Sequence, residues 1–133
     1  MLKVLGDVLN AFHFISLFLP VIIYFLPVLF IKRYAFLFKY YLLIMMLIPI
    51  HWVFLDNRCL FTVVSRKTGA LQNTETTSQF SEVYLKWLYK PIMTLFGWEW
   101  NSKGLDKMVN LHMGINFILI WYFIFFYARK QLF

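Results

Sequence analysis

Between Val8 and Phe30 the chain carries no Asp, Glu, Lys or Arg. At about 1.5 Å per helical residue, that run covers a hydrocarbon core of roughly 30 Å, so the pattern predicts a first transmembrane helix over 8–30. Asp7 and Asn10 stand near its start as capping groups. Pro20 and Pro27 lie inside it and are expected to kink it, neighbouring helices repairing the lost backbone bonds. Lys32 and Arg33 end it, which together with its length and the lack of a small-residue cleavage site sets it apart from a signal peptide. A second span is predicted over 34–55. Its charge-free part begins only at Tyr40, so Lys39 must snorkel back toward Lys32 and Arg33, and Pro49 is expected to bend its far end. The connection between the two is so short that they form an antiparallel hairpin. A last span is predicted over 106–127, charge-free from Met108 to Ala128 and stopped by Arg129 and Lys130.

Between the second and last spans the pattern changes. Residues 56–79 are polar, with Asp56-Asn57-Arg58-Cys59, then Ser65-Arg66-Lys67-Thr68-Gly69, then a Thr/Ser/Gln-rich stretch. The short apolar run Leu60–Val64 inside them is read as part of a loop lying on the membrane. Residues 80–98 follow helical spacing through Phe80, Val83, Tyr84, Trp87 and Leu88, with Glu82, Lys86 and Lys90 on another face. That predicts an amphipathic helix interrupted at Pro91, either spanning or lying at the interface. Trp98 to Gly104 reads as a turn at headgroup level.

Composition agrees with this outline. The 133 residues are 62% hydrophobic and 14% charged, against roughly 25% charged in soluble domains. So small a chain cannot hide that much apolar surface from water, which excludes a soluble enzyme domain, a disordered tail and a disulfide scaffold. The fold class is therefore an all-α integral membrane protein. It is a single domain over 1–133 with three to four transmembrane helices, a polar loop, and an amphipathic or kinked third helix. The net charge of +7 lies mostly beside the apolar runs, where it suits a lipid bilayer with anionic headgroups rather than nucleic acid.

The side chains that invite chemistry are few. His51, Trp52, Asn57, Arg58 and Cys59 form the most distinctive local cluster. His, Asn and Arg there serve to satisfy the last carbonyls of a helix end, and Trp52 is an interface anchor. The competing reading is a reactive Cys59 thiolate beside Arg58 and a histidine. His13, His51 and His112 could be drawn into a metal or haem site with Cys59, but no pair has a metal-motif spacing. His112 and Asn116 share one face of the last helix with Gly114 between them, which points to helix packing. Arg66 and Lys67 give the polar segment a basic face. No catalytic residue, metal or cofactor is assigned.

His51-Trp52, Cys59-Leu60-Phe61-Thr62, Arg66, Gly69, Phe80, Tyr84-Leu85 and Leu88-Tyr89-Lys90-Pro91 follow one another over residues 48–92. In this order the chain resembles small membrane proteins of large icosahedral DNA viruses. It is also similar to a family of small four-span bacterial membrane proteins. The resemblance implies a compact helical bundle with the Cys59 loop tucked over it, and it brings no activity. The expected function is that of a non-catalytic structural protein in the internal membrane of a virion, a minor capsid component whose partners are capsid proteins. The alternatives are an accessory subunit of a respiratory or ATP-synthase complex in the mitochondrial inner membrane, and a redox or metal-binding membrane enzyme. The segment 56–79 is expected to stay loose until a partner orders it.

Overall fold

The computed structural model of the chain describes residues 1–54, 60–71 and 79–128, and the side chains of 48–53, 127 and 128 lie outside the description. The described residues are helical, with no strand among them. Helix α1 runs Leu2–Ile22 and passes into a 3-10 turn, Ile23–Phe25. Helix α2 is Val28–Arg33 and α3 is Ala35–Phe54. Helices α4, α5 and α6 are Leu60–Lys67, Gln79–Tyr84 and Lys86–Leu95. Helix α7 is Ser102–Tyr122 and continues as a π-helical stretch, Phe123–Ala128. Two stretches are long and apolar enough to cross a membrane, Leu2–Phe25 and Ser102–Phe126; the apolar helix Ala35–Leu47 is shorter.

The prolines act differently from one another. Pro20 stays inside α1. Pro27, expected only to kink the first helix, ends it: Leu26 before it is extended at φ −77°, ψ 141°, the conformation that a following proline ring favours. Pro27 then opens α2 with its fixed φ of −58°. Residues 28–30 therefore belong to the corner of the hairpin rather than to the first span, and α1 begins earlier than expected, at Leu2. Asp7 and Asn10 consequently lie within α1 and cap nothing. In the third predicted helix the interruption falls at Leu85, while Pro91 sits inside an unbroken α6. Leu85 is fully buried, at φ −114°, and Leu88 N–H bonds to its carbonyl. The break leaves the Tyr84 carbonyl to the Trp87 indole, which donates to it at 2.9 Å.

Two further expectations are corrected. Leu60–Lys67 is a helix docked on α1, not a loop on the membrane. Ser65 is fully buried there and donates to the Gly6 carbonyl at 3.4 Å, and a β-carbon at Gly6 would collide with Thr68 and Ala70. That close approach seats α4 against the first turns of α1. The helix closes in a Schellman turn, Ala70 N–H to the Ser65 carbonyl and Gly69 N–H to the Arg66 carbonyl, with Gly69 at φ 77°. The second correction concerns Trp98–Gly104, which is only partly a turn. Gly97 at φ 68° closes α6 by the same pair of bonds, and Asn101 caps α7 by accepting from Gly104 N–H at 2.8 Å, so α7 starts at Ser102.

Helices α1 and α7 run parallel, Leu17 level with Asn116 and Tyr24 with Phe123, and α3 returns antiparallel between them and the α2 corner. Two apolar clusters share this frame. One joins Ile23, Ile31, Phe38, Leu42, Met45, Met113, Ile120 and Phe123 at the α2 end. The other joins Leu71, Phe80, Leu85, Tyr89, Met93, Leu105 and Met108, where α5 and α6 lie against the first half of α7.

Candidate functional site

A proline inside a helix has no N–H for the carbonyl four residues earlier. For Pro20 that carbonyl belongs to Ser16. The Tyr41 hydroxyl of α3 donates to it at 2.8 Å. One residue on, the Leu17 carbonyl accepts from Asn116 Nδ2 of α7 at 2.9 Å, and it also faces the His112 imidazole. The turn of α1 opened by Pro20 is thus the place where both long partners of that helix attach by hydrogen bonds. Near its upper end the Tyr24 hydroxyl donates to the Leu119 carbonyl at 2.5 Å, just before α7 turns π-helical.

Below Pro20 the ties are between side chains. Asn10 Nδ2 donates to the Tyr84 hydroxyl at 3.3 Å, and Tyr89 Oη lies 2.7 Å from His112 Nδ1. Burial pushes the Tyr89 phenol above its ordinary value, and the tautomer of His112 sets which of the two groups donates. The His13 ring is buried and stacks on Phe80 with centroids 4.0 Å apart. Asn10 and Asn116 are both fully buried, and the Oδ1 of each accepts nothing among the described residues. Chemically this is a string of hydrogen bonds of neutral groups. Among the described residues no three His, Cys, Asp or Glu side chains come together as a metal site would require.

The structure places the sequence candidates unevenly. His112 and Asn116 point into the bundle and bind α6 and α1. Gly114 between them is exposed, with nothing within 4 Å of where a β-carbon would sit, so it is not a point of close approach. Gly6 and Gly104 have that role instead; a β-carbon on Gly104 would collide with the Glu99 carbonyl and Met93. Arg66 and Lys67 are exposed on the last turn of α4. His51 and Trp52 lie on the backbone of α3, their side chains outside the description, and Asn57, Arg58 and Cys59 lie outside the described residues. Sequence reasoning passed over Tyr41, Tyr84 and Tyr89. The position of Pro20 names the Ser16 carbonyl as an orphan, but nothing in the sequence names Tyr41 as its donor.

Lys86 and Lys90 are exposed, and the Lys86 ammonium sits over the Trp100 ring at 5.8 Å. On α7 the Lys107 ammonium sits over Trp98 at 5.9 Å. These exposed pairs flank the α6–α7 turn. No family model, curated protein or solved structure matches this chain.

Proposed function

We propose that this chain is a non-catalytic structural membrane protein that works as one component of a larger assembly. In this reading α1, α3 and α7 cross the bilayer as an up-down-up bundle. Helices α5 and α6, six and ten residues long and broken at Leu85, do not. Residues 108–126 of α7 carry no charge, a length of about 28 Å. Lys32, Arg33 and Lys39 are exposed at one end of the bundle. Arg66, Lys67, Lys86, Lys90, Lys103 and Lys107 are exposed at the other. Both sets suit anionic headgroups. The assembly is the one anticipated from the sequence, the internal membrane of a large icosahedral virion beneath its capsid.

The observation that carries the structural reading is where the interior polar groups are spent. Tyr41, Asn116 and Tyr24 each donate to a backbone carbonyl of a neighbouring helix, and Tyr89 and His112 bind each other. Polar side chains used this way fix helices against one another. The test is alkaline carbonate extraction of the native membrane followed by identification of what co-purifies in mild detergent. Retention in the membrane together with a large particle is expected. Release into the soluble fraction, or an isolated chain carrying stoichiometric metal or a Soret band, overturns the proposal.

A further inference from the structure

Helix α6 carries three stripes, set by a turn of about 100° per residue. Tyr89 and Met93, in line with Leu85, form the stripe buried against α7. Lys86 and Lys90 form the next, one turn apart and both exposed. Trp87, Pro91 and Leu95 form the third; Trp87 is 65% and Leu95 83% exposed. No acid stands between Glu82 and Glu99. Glu82 is half-buried on α5, and the Glu99 carboxylate accepts from the Asn101 amide at 3.0 Å. The open side of α6 is therefore cationic along one edge and apolar along the other.

The ties of α5 and α6 set the depth of that side. The Tyr84 hydroxyl meets Asn10, just inside the charge-free run of α1, and Tyr89 meets His112, one turn inside the charge-free run of α7. The far end of α6 leads back out through Trp98, which lies beneath the Lys107 ammonium. Helix α6 thus crosses the level at which the charge-free runs begin. We infer that it is an interfacial lipid-binding helix: Trp87, Pro91 and Leu95 lie among the outer acyl carbons, and Lys86 and Lys90 bind the phosphate of an anionic phospholipid. The inference rests on the bilayer reading above and gives the short, non-crossing helices their partner. Tryptophan and lysine side by side at this depth are what the membrane boundary selects. The Lys86 ammonium approaches Trp100 through the ring face, which leaves its N–H donors for a phosphate.

The experiment uses the full chain in phosphatidylcholine vesicles, with Leu95→Cys in a Cys59→Ser chain carrying a bimane label. The vesicles contain, at equal mole fraction, either acyl-brominated phosphatidylglycerol or acyl-brominated phosphatidylcholine, and iodide reports access to water. Both brominated lipids should quench the label and iodide should not. At low salt the brominated phosphatidylglycerol should associate at least about fivefold more strongly than the phosphatidylcholine, the factor for one lysine near a charged surface. Lys86→Gln with Lys90→Gln should bring the two lipids level, while Lys32→Gln with Arg33→Gln at the other end should leave the preference intact. Quenching by iodide alone places water on this face, and quenching by neither places protein there; each overturns the inference. Equal association of the two lipids, or a preference that survives loss of Lys86 and Lys90, overturns it as well. Carbonate retention of the same chains reports on the bilayer reading separately.

Discussion

Tyr41→Phe removes one oxygen from α3 and tests whether it supports α1 at Pro20. The hydroxyl donates at 2.8 Å to the Ser16 carbonyl, which Pro20 leaves without its helical donor. A polar group left unpaired in a protein interior costs about 1–3 kcal/mol, and interhelical hydrogen bonds in membrane bundles average about 0.6 and reach about 1.7 kcal/mol. Tyr41 and Ser16 are both half-buried between helices, so the cost lies within the range of interhelical bonds rather than at the top of that for a fully buried unpaired group. The expected loss is therefore about 1 kcal/mol, roughly fivefold in the folding equilibrium constant. The decisive comparison is the same substitution in a Pro20→Ala chain. There residue 20 has an N–H again, the Ser16 carbonyl is paired within α1, and Tyr41→Phe should cost no more than about 0.3 kcal/mol. Reversible unfolding in mixed micelles of SDS and a mild detergent, followed by far-UV circular dichroism, measures all four chains. Equal losses with Pro20 present and with Pro20→Ala in place refute the reasoning, because the hydroxyl would then be acting on something other than the orphaned carbonyl.

Other outcomes follow from single contacts. Gly104→Ala should cost about 1–3 kcal/mol in the same unfolding assay through its clash with the Glu99 carbonyl and Met93, whereas Gly114→Ala should be neutral or stabilising by up to about 1 kcal/mol. Asn101→Ala should cost about 1 kcal/mol by leaving Gly104 N–H uncapped, and Asn101→Asp should not. Tyr89→Phe should shift the imidazole nitrogen resonances of His112 in an ¹⁵N spectrum; unchanged resonances would deny the 2.7 Å hydrogen bond. Neutralising Lys86 and Lys107 together should leave stability within about 0.5 kcal/mol, since both are exposed, and a larger loss would mean that the tryptophan contacts order the α6–α7 turn.

Long charge-free runs were legible from the sequence because nothing local competes with them. The backbone of α3 ends within a residue of the expected 34–55, and α7 with its π-helical end covers the last predicted run as a helix long and apolar enough to cross a membrane. The prolines were not legible, because a proline states what it removes and not what replaces it. Pro20 is tolerated where Tyr41 supplies a donor, Pro27 falls where the chain turns, and the third predicted helix breaks at the buried Leu85 rather than at Pro91. Helix α4 was missed because its apolar run is short, β-branched and set in a polar segment. What orders it is the absence of a side chain at Gly6 and the left-handed turn at Gly69, neither of which is a hydrophobic signal. Asn116 and His112 were visible as polar residues on one face of a long apolar helix. The tyrosines that complete the same network carried no such signal, since an aromatic hydroxyl reads alike at a headgroup and inside a bundle.

The bonds around Pro20 also have an order in time. Tyr41 is 25 residues from Ser16 in the chain, and Asn116 is 99 residues from Leu17. At about 5–20 residues per second of synthesis, the first donor emerges within about 1–5 s of its acceptor and the second only after about 5–20 s. The hairpin of α1 and α3 can therefore close its own tie while the Leu17 carbonyl waits, and it is α7, made last, that fills the remaining place. A ribosome stalled before residue 116 would hold a hairpin already joined through Tyr41, with one backbone oxygen still open to water or to a foreign helix.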